Sequence, residues 1–319
     1  MCYSAQIWQD YRRYVRAWGA DIGLEDFVRL YWERESNPRI RIAKAMDAAF
    51  AEPRTGLERE IKTLIDAFDA RQRSALEQEL FKQRKRLADA ERALRSRTTK
   101  AALESRRIAG DKVAWALGKL ADLGRAELVD EDSRIFPGWH APVMIVENGR
   151  RTVKPMRYQC RLAGKPASID AKFPGTYNAR RDNLEGYWKE QFGASHALVV
   201  ANAFFENVSR HRAEGRELAP GEREGNVVLE FRPRPAQDML IACLWSHWRA
   251  PGAPDLLSFA AITDEPPAEV AAAGHDRCII PIRAANVEAW LAPATHPRST
   301  LQAILDDRER PYYEYRLAA

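Results

Sequence analysis

A chain of 319 residues is long enough for one large domain or two modest ones, and for a substantial core. Hydrophobic residues at 45% and charged residues at 30% match ordinary globular proteins, and 17 Gly with 18 Pro are too few for a fibrous or broadly disordered chain. No apolar run approaches the roughly eighteen residues of a spanning helix, and Met1-Cys2-Tyr3-Ser4-Ala5-Gln6 lacks the basic-then-apolar pattern of a secretory signal.

The first twenty residues are aromatic and mixed, with Tyr3, Ile7, Trp8, Tyr11, Tyr14, Val15 and Trp18. From about Asp21 to Arg125 the chain reads almost entirely as helix, and between Gly56 and Gly110 there is neither Gly nor Pro. Leu57, Ile61, Leu64, Ile65 and Phe68 form an i, i+3/i+4 stripe, and Leu80, Leu87, Leu94, Ala101, Ile108 and Trp115 recur every seven residues. The second seam position would hold Gln83, Ala90, Arg97 and Glu104, three of them polar, so a long parallel coiled coil is disfavoured. A hairpin of long helices, broken near Ser96 to Thr99 with a Thr as the next N-cap, fits better. Charge is concentrated here: Arg71 to Arg107 holds twelve Lys/Arg against five Asp/Glu, a net +7 in a protein of +5. Such a run is either a solvated helix face or a surface for phosphates.

After about Ala126 the texture changes to short apolar runs between Pro and Gly. Strands are expected over 143–146, 197–200, 227–231, 239–244, 257–262 and 278–282, with short helices over 286–291 and 298–306. That order implies an α+β sheet domain and no regular βαβ repeat. Cys2, Cys160, Cys243 and Cys278 are far apart and form no C-x-x-C pair. This argues against a zinc site or disulfide scaffold and for a reducing, cytoplasmic compartment.

Chemistry gathers at four places. Removal of the initiator Met would leave Cys2 as a 1,2-aminothiol, with an α-amine whose reference pKa is near 8 beside a thiol. The amine condenses with an aldehyde to an imine, and the thiolate then closes a thiazolidine. Asn178-Ala179-Arg180-Arg181 places an amide and two guanidinium groups after a Pro-Gly turn. Glu206 follows the aromatic pair Phe204-Phe205 at what reads as a strand end, where partial desolvation raises a carboxyl pKa toward acid/base use. His275, at the entrance to the 278–282 strand, can move protons near neutral pH. Each alone has an ordinary reading: a chance Cys, a hairpin Glu, a turn-capping His.

Taken in order, Met1-Cys2, Asn178-Ala179-Arg180, Ala201 to Asn207 around Glu206 and His275-Asp276-Arg277 resemble the signature of the SOS-response-associated peptidase, or abasic-site-processing, family. Pro155-Met156-Arg157-Tyr158, Ala242-Cys243-Leu244-Trp245 and Trp290-Leu291 are similar to further family elements. The resemblance implies a mixed, largely antiparallel, barrel-like sheet with short helices, formed by 1–20 and 126–319. Residues 21–125 would be an inserted helical hairpin.

It further implies a DNA-repair protein that captures abasic sites in single-stranded DNA through a thiazolidine on Cys2, with autocatalytic removal of Met1. Asn178, Glu206 and His275 would be its catalytic partners. Arg180, Arg181, Arg157, Tyr158 and Arg277 would contact DNA. No metal or organic cofactor is implied, the location would be cytoplasmic at the nucleoid, and the chain would be a monomer without membrane contact. Replication-associated proteins could dock on the insertion. Tyr3 and Ser4 stand where the family has Gly and Arg, Asn207 and Tyr158 where it has Trp, and Cys278 where it has Met. An N-terminal-nucleophile cysteine amidohydrolase, or an inactive nucleic-acid-binding member, are the alternative readings.

Overall fold

The computed structural model describes residues 3–318, so Cys2 and the fate of Met1 lie outside the described residues. The chain divides into two compact units, one built from the segment up to Glu52 together with Val129 onward, the other from Pro53–Leu128.

The first unit opens with β1 (Ser4–Ile7), α1 (Tyr11–Trp18), β2 (Asp21–Ile22), α2 (Leu24–Ser36), β3 (Arg41–Ile42) and α3 (Lys44–Ala48). Asp10 caps α1 by accepting from the Arg12 backbone N–H, and Gly19 ends it in the left-handed region at φ 60°. Tyr11, Phe27, Tyr31 and Phe50 stack into a buried aromatic cluster. β2 pairs with strand 150–158 and β3 with strand 139–147. Residues 21–52, expected within the helical stretch, thus include two short strands and pack in the sheet unit.

The sheet resumes with β4 (Arg134–Ile135), β5 (Trp139–Glu147), β6 (Arg150–Tyr158), β7 (Asn178–Arg180), β8 (His196–Ser209), β9 (Asn226–Arg234), β10 (Met239–Trp248) and β11 (Leu256–Asp264). β12 (Cys278–Ile279), β13 (Pro281–Ile282) and β14 (Tyr312–Leu317) follow. Short helices α6 (Ile169–Lys172), α7 (Arg210–Ala213), α8 (Ala268–Ala272), α9 (Val287–Leu291) and α10 (Arg298–Asp306) lie between strands.

Pairing runs β10–β11–β6–β5–β8 and returns from β8 to β10, which closes a five-stranded barrel. Closure removes the free edges that an open sheet would expose. Alternate residues fill one core: Val143 and Ile145 on β5, Val199 and Ala201 on β8, Ile241 and Cys243 on β10, Phe259 and Ala261 on β11. The expected α+β class with a barrel-like sheet and a long helical hairpin is the one observed. Five of the six expected strands are present whole, and the 278–282 segment is broken at Ile280 into β12, which pairs with β11, and β13, which pairs with β10. β6 and β14, with one Pro and several charges between them, carried no apolar run to announce them.

The second unit is a pair of long helices, α4 (Gly56–Ser96) and α5 (Lys100–Gly124). Thr55 and Glu58 form a capping box at the start of α4, and Thr99 caps α5 by accepting from the Ala102 backbone N–H at 3.1 Å. The break falls where the sequence placed it. Arg86 donates to Ser105 Oγ at 3.0 Å and Lys112 lies 3.9 Å from Glu79, an antiparallel register. The buried positions are Gln83, Ala90, Ala109 and Ala116 in the seam, with Glu58, Ile61 and Ile65 nearer the base. Small residues let the helices approach closely and leave most of each circumference in solvent.

Candidate active site

β1 runs antiparallel to β8 with Ser4 opposite Phe205, and the Tyr3 backbone N–H donates to the Phe205 carbonyl at 3.3 Å. The first described residue is therefore tied beside Glu206. Arg134, on β4, holds the strand from its other side: its Nε donates to Ser4 Oγ at 2.9 Å, and its guanidinium lies 3.6 Å over the Phe205 ring. A cation against an aromatic face adds attraction to the hydrogen bond.

Glu206 lies within β8, three residues before the strand ends at Ser209 and opposite Leu229 of β9, and not at a strand end as the sequence suggested. Its strand neighbours explain the burial. Phe204 on the same face stacks on Phe231 and meets Tyr313 edge-on, and Glu206 itself is 0% exposed. An ionised carboxylate in that position requires partners. His275 is one, with Nε2 3.1 Å from Glu206 Oε2. It follows α8 through Gly274, whose φ of +95° suits glycine, and a Cβ there would come within 2.9 Å of Arg212 Cβ.

The other nitrogen of His275, Nδ1, is 2.8 Å from the Arg277 carbonyl oxygen. A carbonyl only accepts, so Nδ1 carries a proton. Burial holds the His275 pKa below its usual value, with the Arg277 carbonyl opposing that shift. A neutral ring then presents a bare Nε2 to the carboxyl group. The Nε2···Oε2 line has room for one exchangeable proton, on the ring or on Glu206.

Asn178 sits on β7, which pairs in parallel with β11 at Ala261. Its side chain is buried, and neither Oδ1 nor Nδ2 has a hydrogen-bond partner among the described residues. A buried amide left so costs about 1–3 kcal/mol. Stability alone gives no reason to keep it.

The expected DNA contacts have different fates. Arg180 is open to solvent, 3.0 Å from Asp182. Arg181 is largely covered and bridges Asp264 at 3.1 Å and Asp306 at 2.6 Å. Arg157 donates to Asp170 at 2.8 Å and to the Gln159 carbonyl. Arg277 is mostly covered, 3.6 Å from Asp276. Tyr158 is 2% exposed, stacked on Phe259 inside the barrel, where it is a core residue. Sequence reasoning missed the Arg134 tether and an open cleft of about 470 Å³ lined by Arg212, Arg216, Ala271, Gly274, His275 and Asp276. The basic run Arg210-His211-Arg212 was the available signal for it. Among the described residues no three His, Cys, Asp or Glu side chains gather as a metal site.

Asn178, Glu206 and His275 fall within residues 96–317, the stretch matched by the family described as SOS response associated peptidase. The chain belongs to the SOS response associated peptidase family. Membership associates it with DNA repair in the SOS response and with DNA as a partner. Solved structures similar to it include a protein from Bordetella bronchiseptica, 16% identical over 61% of this chain and 90% of that one, TM-score 0.45. A Bacteroides thetaiotaomicron protein is 13% identical, covering 64% and 88%, TM-score 0.46. A phage-related protein from Bordetella bronchiseptica is 18% identical, covering 58% and 81%, TM-score 0.44. No curated protein matches the chain significantly. No helix among the described residues is long and apolar enough to cross a membrane.

Proposed function

We propose that this family member captures abasic sites in single-stranded DNA as a covalent thiazolidine on Cys2, after hydrolysis of the Met1–Cys2 amide exposes the α-amine. The open-chain abasic aldehyde and the amine lose one water to form an imine. The Cys2 sulfur then adds to the imine carbon, and its proton ends on the ring nitrogen. Every step moves a proton, and the 3.1 Å approach of His275 Nε2 to the buried Glu206 carboxyl group is the observation that carries the reading.

Glu206 delivers a proton to the leaving hydroxyl of the carbinolamine and recovers one from the nitrogen as the imine forms. His275 assists opening of the sugar hemiacetal. The unsatisfied Asn178 amide orients the amine or the bound sugar, and Arg180 takes a flanking phosphate. Run backwards, the same steps release the DNA, and amide hydrolysis at Met1 is the peptidase activity of the family name.

Intact-mass spectrometry with and without an oligonucleotide bearing one abasic site tests this. The expected result is loss of Met1 and an adduct equal to protein plus oligonucleotide minus one water, absent from Cys2→Ala. A full adduct on Cys2→Ala overturns the mechanism. An unmodified mass together with turnover of amide substrates points to the amidohydrolase.

A further inference from the structure

The charge of the helical hairpin is segregated along its length. The end that holds the turn, residues 82–107, carries ten Lys/Arg and three Asp/Glu, a net +7. The remainder of the two helices, 56–81 and 108–124, carries six Lys/Arg and eight Asp/Glu, a net −2. The structure distinguishes the cations that a sequence count cannot. Arg86 is engaged with Ser105, Arg92 with Asp89, and Arg107 with Glu104 and Asp111.

Lys82, Arg84, Lys85, Arg95, Arg97, Lys100 and Arg106 are all exposed. None of these seven has a carboxylate within 4 Å among the described residues. Like charges one helical turn apart, such as Lys82 and Arg86, destabilise a helix by a few tenths of a kcal/mol per pair. A merely solvated arm gains nothing from concentrating them at one end.

We infer that the turn end of the hairpin is a docking surface for the phosphate backbone of duplex DNA, separate from the site around Glu206. Between 82 and 107 there is no Phe, Tyr, Trp or His, and the exposed Phe81 at the margin offers a ring for one unpaired base, not the succession of rings along which a single strand stacks. What it offers is fixed positive charge on rigid helices, which suits the regularly spaced phosphates of a duplex and carries no sequence preference. An anionic membrane fits less well. The buried seam positions Gln83, Ala90 and Ala109 are spent on the partner helix, and no broad apolar face remains to enter lipid. The inference stands independently of the covalent chemistry proposed for Cys2.

The probe is a 30-base-pair duplex without any abasic site, titrated by fluorescence anisotropy across a salt series with the full chain. The variant replaces Arg84, Lys85, Arg95 and Arg97 with Gln, all at exposed positions, and a second variant replaces the three arginines with Lys. Each lost duplex phosphate contact lowers the slope of log affinity against log salt by about 0.9. The Gln variant should therefore lose roughly 2–4 from the slope and bind at least tenfold more weakly at low salt. The Lys variant should keep both. Unchanged slope and affinity in the Gln variant overturn the inference. So does binding to phosphatidylserine vesicles without binding to the duplex, or equal loss in the Lys variant.

Discussion

Glu206 and His275 are 69 positions apart in the chain, yet Oε2 of one and Nε2 of the other are 3.1 Å apart, with the far ring nitrogen fixed on the Arg277 carbonyl. The carbonyl settles which nitrogen always holds a proton, so only the inner position changes state. The pair can thereby hold one exchangeable proton between a fully buried carboxyl group and a nearly buried ring.

Removing either member should slow covalent capture and leave DNA binding largely intact. Glu206→Gln keeps shape and hydrogen bonding but cannot exchange the proton, and a positioned acid/base typically contributes 10²–10⁴-fold. Single-turnover adduct formation should fall by that order in Glu206→Gln and in His275→Ala, while affinity for intact single-stranded DNA stays within about twofold. Lost binding with an unchanged capture rate would contradict these roles.

Asn178→Leu should raise stability and lower activity together. The substitution removes a buried amide with no described partner and replaces it with an apolar group of similar size, a gain of about 1–2 kcal/mol. Urea denaturation should show the higher midpoint, and gels of the denatured adduct should show reduced capture. A destabilised variant would mean that the amide is satisfied in the native protein.

Acid should unfold the protein through two structural histidines remote from the chemistry. Burial pushes His196 down to about 3; Gly193 N–H donates to its Nε2, and its Nδ1 faces the Trp290 carbonyl, so the native ring is neutral. His140 is likewise pushed down to about 3, by burial and then by Arg157. Both folded values are depressed, so the unfolded chain takes up protons first. Their contribution is complete above about pH 6.5 and is lost as pH falls toward 3, with an upper bound of about 5 kcal/mol each at 1.36 kcal/mol per unit. Urea midpoints at pH 7, 5 and 4 should fall steeply in wild type and less steeply in His196→Gln.

Arg134→Ala should loosen β1 selectively. It removes a hydrogen bond to Ser4 and the cation over Phe205, together worth about 2 kcal/mol. Amide hydrogen exchange over Ser4–Ile7 should accelerate while that of β10 and β11 is unchanged. Capture should weaken, because β1 holds Tyr3 and Ser4 beside Phe205 on β8.

Local pattern was enough for the parts of this protein whose cause is local. Continuous apolar runs announce β5, β8, β10 and β11 because these strands are buried on both faces, and Thr99 announces α5 because a helix start needs an acceptor for its free N–H groups. The heptad stripe Leu80, Leu87, Leu94, Ala101, Ile108 and Trp115 is not the buried seam, which runs through Gln83, Ala90, Ala109 and Ala116 and leaves Trp115 exposed. Family resemblance then singled out Asn178, Glu206 and His275 by order alone. What the tertiary structure decided was which of them meet. Glu206 lies inside β8 because β9 continues the pairing past it, with Leu229 opposite, and that pairing is not visible from the residues around it. Tyr158, which reads as an aromatic ready to stack on a base, is a core residue because barrel closure brings Phe259 against it. Arg86, one of a run of three cations, is drawn into the hairpin by Ser105 nineteen positions away. Burial and pairing are sums over distant neighbours, and the chain order of those neighbours is set by sheet closure, which no local window contains.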